Sequence, residues 1–427
     1  MKWLFKNKVF SGALQFTIFI GVIIALLLTG LVMLQNTHTY FIEQSKATIE
    51  NIQLANSGIN YLLNQKKVAQ DTLTISELTN ENQKVEVHLS TWGIFEKGIV
   101  KTTHRKKIFY KSALLGTKIP KEKRPSLYLQ DNYKPLVVVG KTLLKGLFFI
   151  PSQGISPGYI AGESFYGEQL VEGTIKNSTR KLPELLAFYK ELEELFNKNT
   201  EFSEENYLRW DNTSKIINSF LKPTKIMYQK DMIELDGTSI TGNIIIKSDE
   251  LVKIKKTAVL KDVIIIAPIV EIEDDVLGTF QVMANKRITV GKSCKLNYPS
   301  ALVLIQEKES LVNFNSNALD YQIRIEKNSQ IIGTVCYFKS IKENDFKTQV
   351  TLSEESIVKG EIYCQGNLEL KGKVVGSVFT EQFILSAAGS IFINHLYNGQ
   401  IVNDNFPESF SGLLFKDNLK SVAKWMY

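Results

Sequence analysis

The sequence has few of the residues on which metal and redox chemistry depend. Only three cysteines and four histidines occur in 427 residues, and neither a CxxC nor an HExxH motif is present. Zinc fingers and zinc proteases are therefore not expected. No catalytic constellation or cofactor-binding motif is apparent, so we expect a protein that is not an enzyme and has no cofactor. With 44% apolar residues and only ten prolines, the chain is also not a disordered linker.

Charge of either sign is absent between Lys8 and Glu43. Within that window, Ala13 to Leu34 is a 22-residue apolar stretch that spans about 30 Å as a helix. Three lysines precede it, in a leader that covers residues 1–12. The positive-inside rule then predicts a single-pass inner-membrane protein with a cytoplasmic N-terminus and a bulk that is periplasmic or surface-exposed.

The helical pattern continues beyond the membrane. No proline occurs between residues 36 and 65, and apolar residues recur there at helical spacing. These residues are Ile49, Ile52, Ala55, Ile59, Leu62 and Leu63. We therefore predict one helix over residues 13–66, with its first half in lipid and its second half amphipathic outside.

Two segments of this helix carry a resemblance to known proteins. Ser11-Gly12-Ala13-Leu14 follows a basic leader, and 54–62 reads Leu-Ala-Asn-Ser-Gly-Ile-Asn-Tyr-Leu. The region up to about residue 65 resembles PilX-type minor pilins and the K-type tip pseudopilins of type II secretion. The second segment departs from the usual A-E-A-G-L pattern at Asn56 and Ser57.

The resemblance implies that a prepilin peptidase cuts between Gly12 and Ala13. The fifth mature position, usually Glu in pilins, is then Thr17, a departure that the K-type tip proteins share. It also implies that the helix packs against other pilin-like subunits. The residues assigned to anchoring or packing are Leu14, Thr17, Ile18, Leu34, Ala55 and Gly58.

The rest of the chain is predicted to be mainly β. Residues 84–110 alternate as strands do, with turns expected at Trp92-Gly93 and Lys97-Gly98. Leucines and aromatics from 182 to 196 follow a helical stripe after Pro183, and a second helical piece is predicted from about 204 to 221. Strands then resume from about 232 to 399.

A short unit, glycine followed by any residue and then Ile or Val, recurs in this second β region. It begins at Gly242, Gly333, Gly360, Gly376 and Gly389. Short strands ended by turns favour a right-handed parallel β-helix, in which stacked coils bury a column that one coil cannot bury alone. The glycine spacing resembles the bactofilin-type polymer-forming domain. A β-sandwich is the alternative fold.

These patterns give a predicted domain organisation. It comprises a leader (1–12), the long helix (13–66), a first β-rich region (84–180), a helical insertion (181–228), a β-solenoid (229–400) and a C-terminal cap (401–427).

A basic strip stands out against the modest net charge of +7. Residues 97–124 contain ten Lys or Arg and one Glu. Its candidate contact residues are Lys101, Arg105, Lys106, Lys107 and Lys111. Anionic lipid or nucleic acid are conceivable ligands. A solvated strand face is the simpler interpretation, and nucleic acid is not expected as a partner.

Other polar clusters are interpreted structurally. Asp274 and Asp275 are expected in a charged turn, and Cys336 and Cys364 are expected to point inward as small apolar side chains. We therefore expect a membrane-anchored minor pilin or pseudopilin-like component of a type IV pilus-like or secretion fibre. The alternatives are a permanently anchored β-helix scaffold or adhesion protein and, least favoured, a carbohydrate-active β-helix enzyme.

Overall fold

A computed structural model describes most of the chain. The described residues are 12–65, 72–76, 82–105, 107–186, 192, 196, 204–208, 215–306, 321–339, 346–387, 389–404 and 406–427. The protein is mainly β with one long N-terminal helix. It divides into two compact units. One contains the helix up to Gly58 with Thr74–Glu86 and Val100–Tyr110, and the other contains Ile59–Leu73, Val87–Ile99 and Lys111–Tyr427.

The helix α1 covers Gly12–Asn64, close to the predicted range, and short 3₁₀ turns lie at Lys121–Lys123 and Glu204–Asn206. The first strands are β1 (Leu73–Thr74), β2 (Gln83–Trp92), β3 (Phe95–His104), β4 (Lys107–Thr117), β5 (Leu127–Leu129), β6 (Leu136–Val139), β7 (Leu143–Ile150), β8 (Ile155–Pro157), β9 (Tyr159–Ile160), β10 (Glu163–Ser164) and β11 (Glu172–Asn177).

The strands continue after the segment predicted as a helical insertion. They are β12 (Lys215–Asn218), β13 (Lys225–Gln229), β14 (Ile233–Leu235), β15 (Ser239–Gly242), β16 (Ile244–Ser248), β17 (Leu251–Ile254), β18 (Val259–Ile266), β19 (Ile269–Ile272), β20 (Leu277–Ala284), β21 (Arg287–Val290), β22 (Lys295–Gln306), β23 (Gln322–Ile325), β24 (Gln330–Lys339), β25 (Val350–Leu352), β26 (Ile357–Leu370), β27 (Lys373–Ala387), β28 (Ser390–Ile393), β29 (His395–Tyr397), β30 (Gln400–Val402) and β31 (Lys420–Met426).

Strands β1 to β4 and β31 form a five-stranded sheet, in the order β1-β2-β3-β4-β31. Strand β31 pairs antiparallel with the second half of β4, where Lys420 lies opposite Thr117. The turn predicted at Trp92-Gly93 joins β2 to β3. The turn predicted at Lys97-Gly98 is wrong, because both residues lie inside β3. A β-carbon on Gly98 would come within 2.9 Å of Leu62 Cδ1, so close packing accounts for that glycine.

Most other strands pair in parallel along three ladders. The first ladder runs β12-β15-β18-β20-β22-β24-β26-β27-β30-β7-β11. The second runs β13-β16-β18-β20-β22-β24-β26-β27-β5-β7. The third runs β14-β17-β19-β21-β23-β25-β26. Several long strands take part in two ladders because the chain shifts register within them.

The second ladder stacks one buried aliphatic or aromatic side chain per strand. These ten residues, the aliphatic column, are paired in register and are at most 1% exposed. They are Met227, Ile246, Ile265, Val282, Leu302, Val335, Ile362, Val378, Leu127 and Phe148. Each such side chain contributes about 1.5–3 kcal/mol when fully buried. The column lies within the larger core cluster that the three ladders enclose.

Glycines mark the point where the chain passes from the first ladder to the second. Gly360 pairs with Gly333 and with Gly376, and its φ of 151° lies in the region that favours glycine. A β-carbon on Gly360 would fall far inside van der Waals contact with the carbonyl oxygen of Gly333. The predicted glycine corner is therefore confirmed at these positions. It is wrong at Gly389, which precedes the antiparallel strand β28, where Ile391 is 51% exposed.

The predicted region boundaries do not separate the strands. β5 and β7, from the first β-rich region, pair with β27 and β30 near the end of the second. The second predicted helical piece, 204–221, contains a 3₁₀ turn and the strand β12 instead, because Ile216 and Ile217 extend alongside β15. The earlier helical stripe is wrong at its start, because Leu182, Leu185 and Leu186 are not helical and Leu185 forms an antiparallel bridge with Phe415. Tyr189 of that stripe lies outside the described residues. The segment predicted as a cap packs Leu413, Leu414 and Phe415 into a second core cluster.

Candidate membrane and assembly helix

The first half of α1 is long and apolar enough to cross a membrane. Its best 18-residue window has a mean hydropathy of 2.8, and none of that window is buried. The whole helix of 53 residues is about 80 Å long. Leu14, Ile18 and Leu34, assigned to anchoring from the sequence, are 66%, 59% and 70% exposed. These side chains therefore present a surface that suits lipid or another apolar helix.

Threonines in this half satisfy their hydroxyl groups within the helix. Thr17 Oγ1 donates to the Leu14 carbonyl at 2.9 Å, and Thr29 Oγ1 donates to the Ala25 carbonyl at 2.7 Å. Thr37 makes the same kind of bond to Met33 at 2.8 Å. A hydroxyl in hydrocarbon has no water to bond, so these local acceptors lower the cost of placing threonine there. Thr17 therefore needs no partner outside its own helix.

The predicted processing site lies at the start of the described chain. Gly12 is the first residue of α1, and Ala13 follows it in the helix. Both residues are exposed. A β-carbon on Gly12 would have no atom within 4 Å. Packing within the described chain therefore does not require glycine at this position.

The second half of α1 buries one stripe of small residues. Ala47, Asn51, Ala55 and Gly58 are buried at successive helical turns. A β-carbon on Gly58 would come within 2.6 Å of Val100 Cγ1, so the helix approaches β3 closely there. The sequence assigned Ala55 and Gly58 to anchoring or to packing against other subunits, whereas both are buried within this chain. It missed Asn51, whose side-chain amide donates to the Lys107 carbonyl at 3.3 Å and whose carbonyl accepts from Thr102 at 3.2 Å.

An exposed apolar stripe lies on another face of the same half. Phe41, Ile42, Ile49 and Ile52 are 63%, 56%, 56% and 38% exposed. At 100° per residue these four positions fall on one side of the helix, away from the buried stripe. Ile49 and Ile52, predicted to lie on a helix from their spacing, do lie on α1, but both are exposed. We call this set the outer stripe.

Most of the described cations of the basic strip interact with groups of the same chain. Lys101 Nζ lies 3.0 Å from a Glu86 carboxylate oxygen, and Lys107 Nζ donates to the Gln44 carbonyl at 3.1 Å. Arg105 pairs with Glu43 at 3.3 Å. Lys111 lies over the ring of Trp425 at 3.9 Å. Lys106 is outside the described residues. Their contacts anchor strands and helix within the molecule, a role that the sequence did not reveal.

These contacts also affect titration. Hydrogen bonds from Lys84 and Lys101 lower the pKa of Glu86, and the bond to Glu86 raises the pKa of Lys101. Each group therefore favours the charged form of the other. Glu43 and Glu50 are the first carboxylates after the charge-free window, and Glu50 lies 3.0 Å from His104 Nδ1. The sequence signal that could have predicted the ion pairs of Glu43 and Glu50 is their position directly after the long uncharged stretch.

The remaining polar groups considered from the sequence are the acidic turn at Asp274 and Asp275 and the histidines. Among the residues that the structure describes, no group of three His, Cys, Asp or Glu side chains could hold a metal ion. Asp274 and Asp275 lie in a turn, as expected, and Asp274 Oδ1 accepts from the Lys292 N–H at 2.7 Å.

The cysteines are buried and unpaired. Cys336 lies opposite Tyr363, and Tyr337 lies opposite Cys364, so the two thiols are one position apart on neighbouring strands. Side chains one position apart point to opposite faces. Accordingly, Cys364 belongs to the core that contains the aliphatic column, and Cys336 belongs to the second cluster. Burial raises the pKa of both thiols, so they remain protonated.

Comparison with known proteins gives little further information. No family model matches the chain, and no curated protein matches it. A crystal structure of the competence-associated pilin ComZ from Thermus thermophilus aligns with 84% of this chain and 86% of that chain. The aligned residues are 9% identical and the TM-score is 0.25, which does not establish a shared fold.

Proposed function

We propose that this chain is a non-enzymatic minor pilin or pseudopilin-like subunit of a type IV pilus-like or secretion fibre. Helix α1 anchors it in the inner membrane with the leader in the cytoplasm and the β-rich body outside. A prepilin peptidase removes the leader between Gly12 and Ala13. The freed helix then packs against the helices of other pilin-like subunits.

The outer stripe, taken together with the exposed apolar residues in the first half of α1, is the observation that carries this proposal. Exposed apolar side chains extend along α1 from Leu14 to Ile52, a distance of about 57 Å at 1.5 Å per residue. The hydrocarbon core of a bilayer is only about 30 Å thick. A membrane therefore cannot cover the whole apolar surface of an upright helix. Packing against further apolar helices would cover the remainder, as a helical fibre core does.

The body fits a parallel β-solenoid, which completes the proposal. Successive parallel strands pair residues that are 16 positions apart at Gly360 and Gly376, 27 apart at Gly333 and Gly360, and 33 apart at Ser300 and Gly333. The aliphatic column and the corner glycines are the features expected where successive coils stack. A large body of this kind suits a subunit near the end of a fibre.

A permanently anchored scaffold is the second candidate. The self-satisfied threonine hydroxyls and the apolar window suit any single-pass helix. Such a protein needs neither cleavage nor partner helices. The state of the N-terminus therefore distinguishes the two candidates.

The experiment compares the mature N-terminus of the wild-type protein with those of two variants. In wild type, mass spectrometry of protein from the native host should find Ala13 as the first residue. Gly12→Leu should leave the leader attached, because the peptidase needs a small residue before the cut. Gly21→Leu is the matched control, since a β-carbon at either position meets no atom within 4 Å.

The proposal predicts that Gly21→Leu is cleaved as wild type is, and that all three proteins insert in the membrane. A wild-type chain that still begins at Met1 would remove the fibre subunit and favour the permanent anchor. Cleavage of Gly12→Leu at the wild-type position would likewise contradict the proposed processing site.

A further inference from the structure

A cavity of about 330 Å³ lies where strands of the second ladder turn toward the third. Side-chain amides dominate its lining. They belong to Asn132, Gln306, Gln349, Gln365, Asn367 and Gln382. A carboxamide both donates and accepts hydrogen bonds. This lining therefore matches a ligand that is rich in hydroxyl groups, since each hydroxyl also does both.

Several of these amides are held in place before any ligand arrives. Asn367 is 3% exposed and Gln349 is 5% exposed. Gln349 Oε1 accepts from the Asn367 N–H at 2.7 Å, and Asn367 Nδ2 donates to the Lys347 carbonyl at 2.6 Å. Gln382 Nε2 donates in turn to Asn367 Oδ1. Groups fixed in this way lose little entropy on binding.

An aromatic ring completes the lining. Phe346 lines the cavity and is 57% exposed, so its ring is open to a ligand. Its ring offers an apolar surface beside the amides. A pyranose has hydroxyls around its edge and C–H groups on its faces. It can therefore pack a face on the ring while its hydroxyls bond to the amides.

The charges of the cavity exclude other ligand classes. Among the described lining residues, Lys339 and Glu381 pair with each other, which leaves Lys134 as the other charged side chain. A single exposed lysine is too little for a nucleotide or a nucleic-acid backbone. The apolar lining is too small for a lipid tail, because it consists mainly of aromatic groups and Ile393.

We propose that this amide-lined cavity binds an oligosaccharide. The amides bond to its hydroxyl groups and Phe346 packs against a ring face. The cavity lies wholly in the β-rich body, so the proposal is independent of whether the leader is cleaved. It adds a ligand-binding role that fibre assembly does not require.

The test measures binding of three soluble trisaccharides to the full-length protein in detergent. Cellotriose, chitotriose and maltotriose at millimolar concentration are titrated in turn by isothermal titration calorimetry. At least one should bind. Phe346→Ala and Gln365→Ala should each weaken that binding about tenfold or more, because each removes a contact that the ligand makes.

Tyr159→Ala is the matched control, since Tyr159 is a 71% exposed aromatic residue that does not line the cavity. It should bind as wild type does. Thermal unfolding of each variant at the wild-type temperature shows that the fold is intact. Failure of all three trisaccharides to bind would overturn the proposal. Wild-type affinity in both Phe346→Ala and Gln365→Ala would do the same, because the binding would then lie elsewhere.

Discussion

Glu361 is a carboxyl group in a place where charge is expensive. It is 3% exposed, next to the corner glycine Gly360, and one of its oxygens accepts the Leu413 N–H at 2.8 Å. Burial raises its pKa to about 7, while the Leu413 N–H and Arg124 oppose that rise. The carboxyl therefore keeps its proton in the folded protein at pH values where it would lose it in the unfolded chain.

The free energy of unfolding should accordingly depend on pH through Glu361. Between about pH 4.5 and 7, Glu361 holds a proton in the folded protein that it has lost in the unfolded chain. The contribution of this proton to the free energy of unfolding is therefore fully present below about pH 4.5 and is lost as the pH rises to about 7. A shift of this size corresponds to a loss of about 3 kcal/mol. Glu361→Gln keeps an oxygen acceptor for Leu413 and cannot ionise. Urea unfolding at pH 5 and pH 8 should therefore show a smaller loss in Glu361→Gln than in wild type.

The other carboxyl groups are the same in wild type and in Glu361→Gln, so their effect on the pH dependence is the same in both. Burial also raises the pKa of Glu96, which acts in the same direction, and its effect cancels when variant and wild type are compared. Equal losses of stability in both proteins would show that Glu361 is not the group responsible.

Helix α1 presents two different faces in its second half. Ala55 lies on the buried stripe and is 0% exposed, while Ile49 lies on the outer stripe and is 56% exposed. The first face belongs to the folding of this chain. The second is free for a partner helix in the proposed fibre. One face of α1 thus contributes to the stability of this chain, and the other is available for assembly with other subunits.

Substitution by aspartate should separate those properties. Ala55→Asp places an unpaired charge among buried side chains, so it should cost several kcal/mol and lower the melting temperature of the protein. Ile49→Asp stays in water and should leave that temperature unchanged. Chemical cross-linking in the native host should nevertheless lose the species that join this chain to other subunits.

The two variants are controls for each other because both introduce the same charge on the same helix. An unchanged melting temperature in Ala55→Asp would mean that the stripe does not stabilise the fold. Wild-type cross-linking in Ile49→Asp would mean that the outer stripe makes no subunit contact.

The three ladders join distant parts of the chain into one body. Val378 pairs with Leu127, so strands separated by some 250 residues are neighbours in the second ladder. The aliphatic column crosses that junction without a break, since Leu127 and Val378 are both fully buried. The body should therefore unfold as a single cooperative unit, with stability shared along the column.

Ile362→Asp and Val378→Asp test the column directly. Each puts a charge where no water reaches, and each should lower the free energy of unfolding by several kcal/mol. Val259→Asp provides the matched control, because Val259 belongs to the first ladder and is 58% exposed. Denaturant unfolding should show normal stability for that variant. Equal stability of all three would show that Ile362 and Val378 face water.

Much of this architecture follows from local pattern. The charge-free window predicted the exposed half of α1, because a helix satisfies its own backbone and its apolar side chains need no sequence-distant partner. The glycine units predicted the corners at Gly333, Gly360 and Gly376, since the φ values of 138° to 151° at these positions favour glycine. The same unit misled at Gly389, because a hairpin turn demands glycine for the same reason.

Other features depend on residues far apart in the sequence. The pairing of β5 and β7 with β27 and β30, the amide cavity and the contacts of the basic strip each combine segments that no local pattern relates. Ile49 and Ile52 show the same limit, because periodicity placed them on a helix without saying which face a sheet would cover.

The sequence by itself determined the long apolar helix, the β-rich body and the corner glycines, because backbone conformation and burial of alternate residues are properties of short segments. Only the tertiary structure decided which strands pair across the chain, which face of α1 stays exposed and which amides meet around one cavity. Those outcomes depend on long-range packing, where the free energy comes from contacts between residues that the sequence keeps far apart.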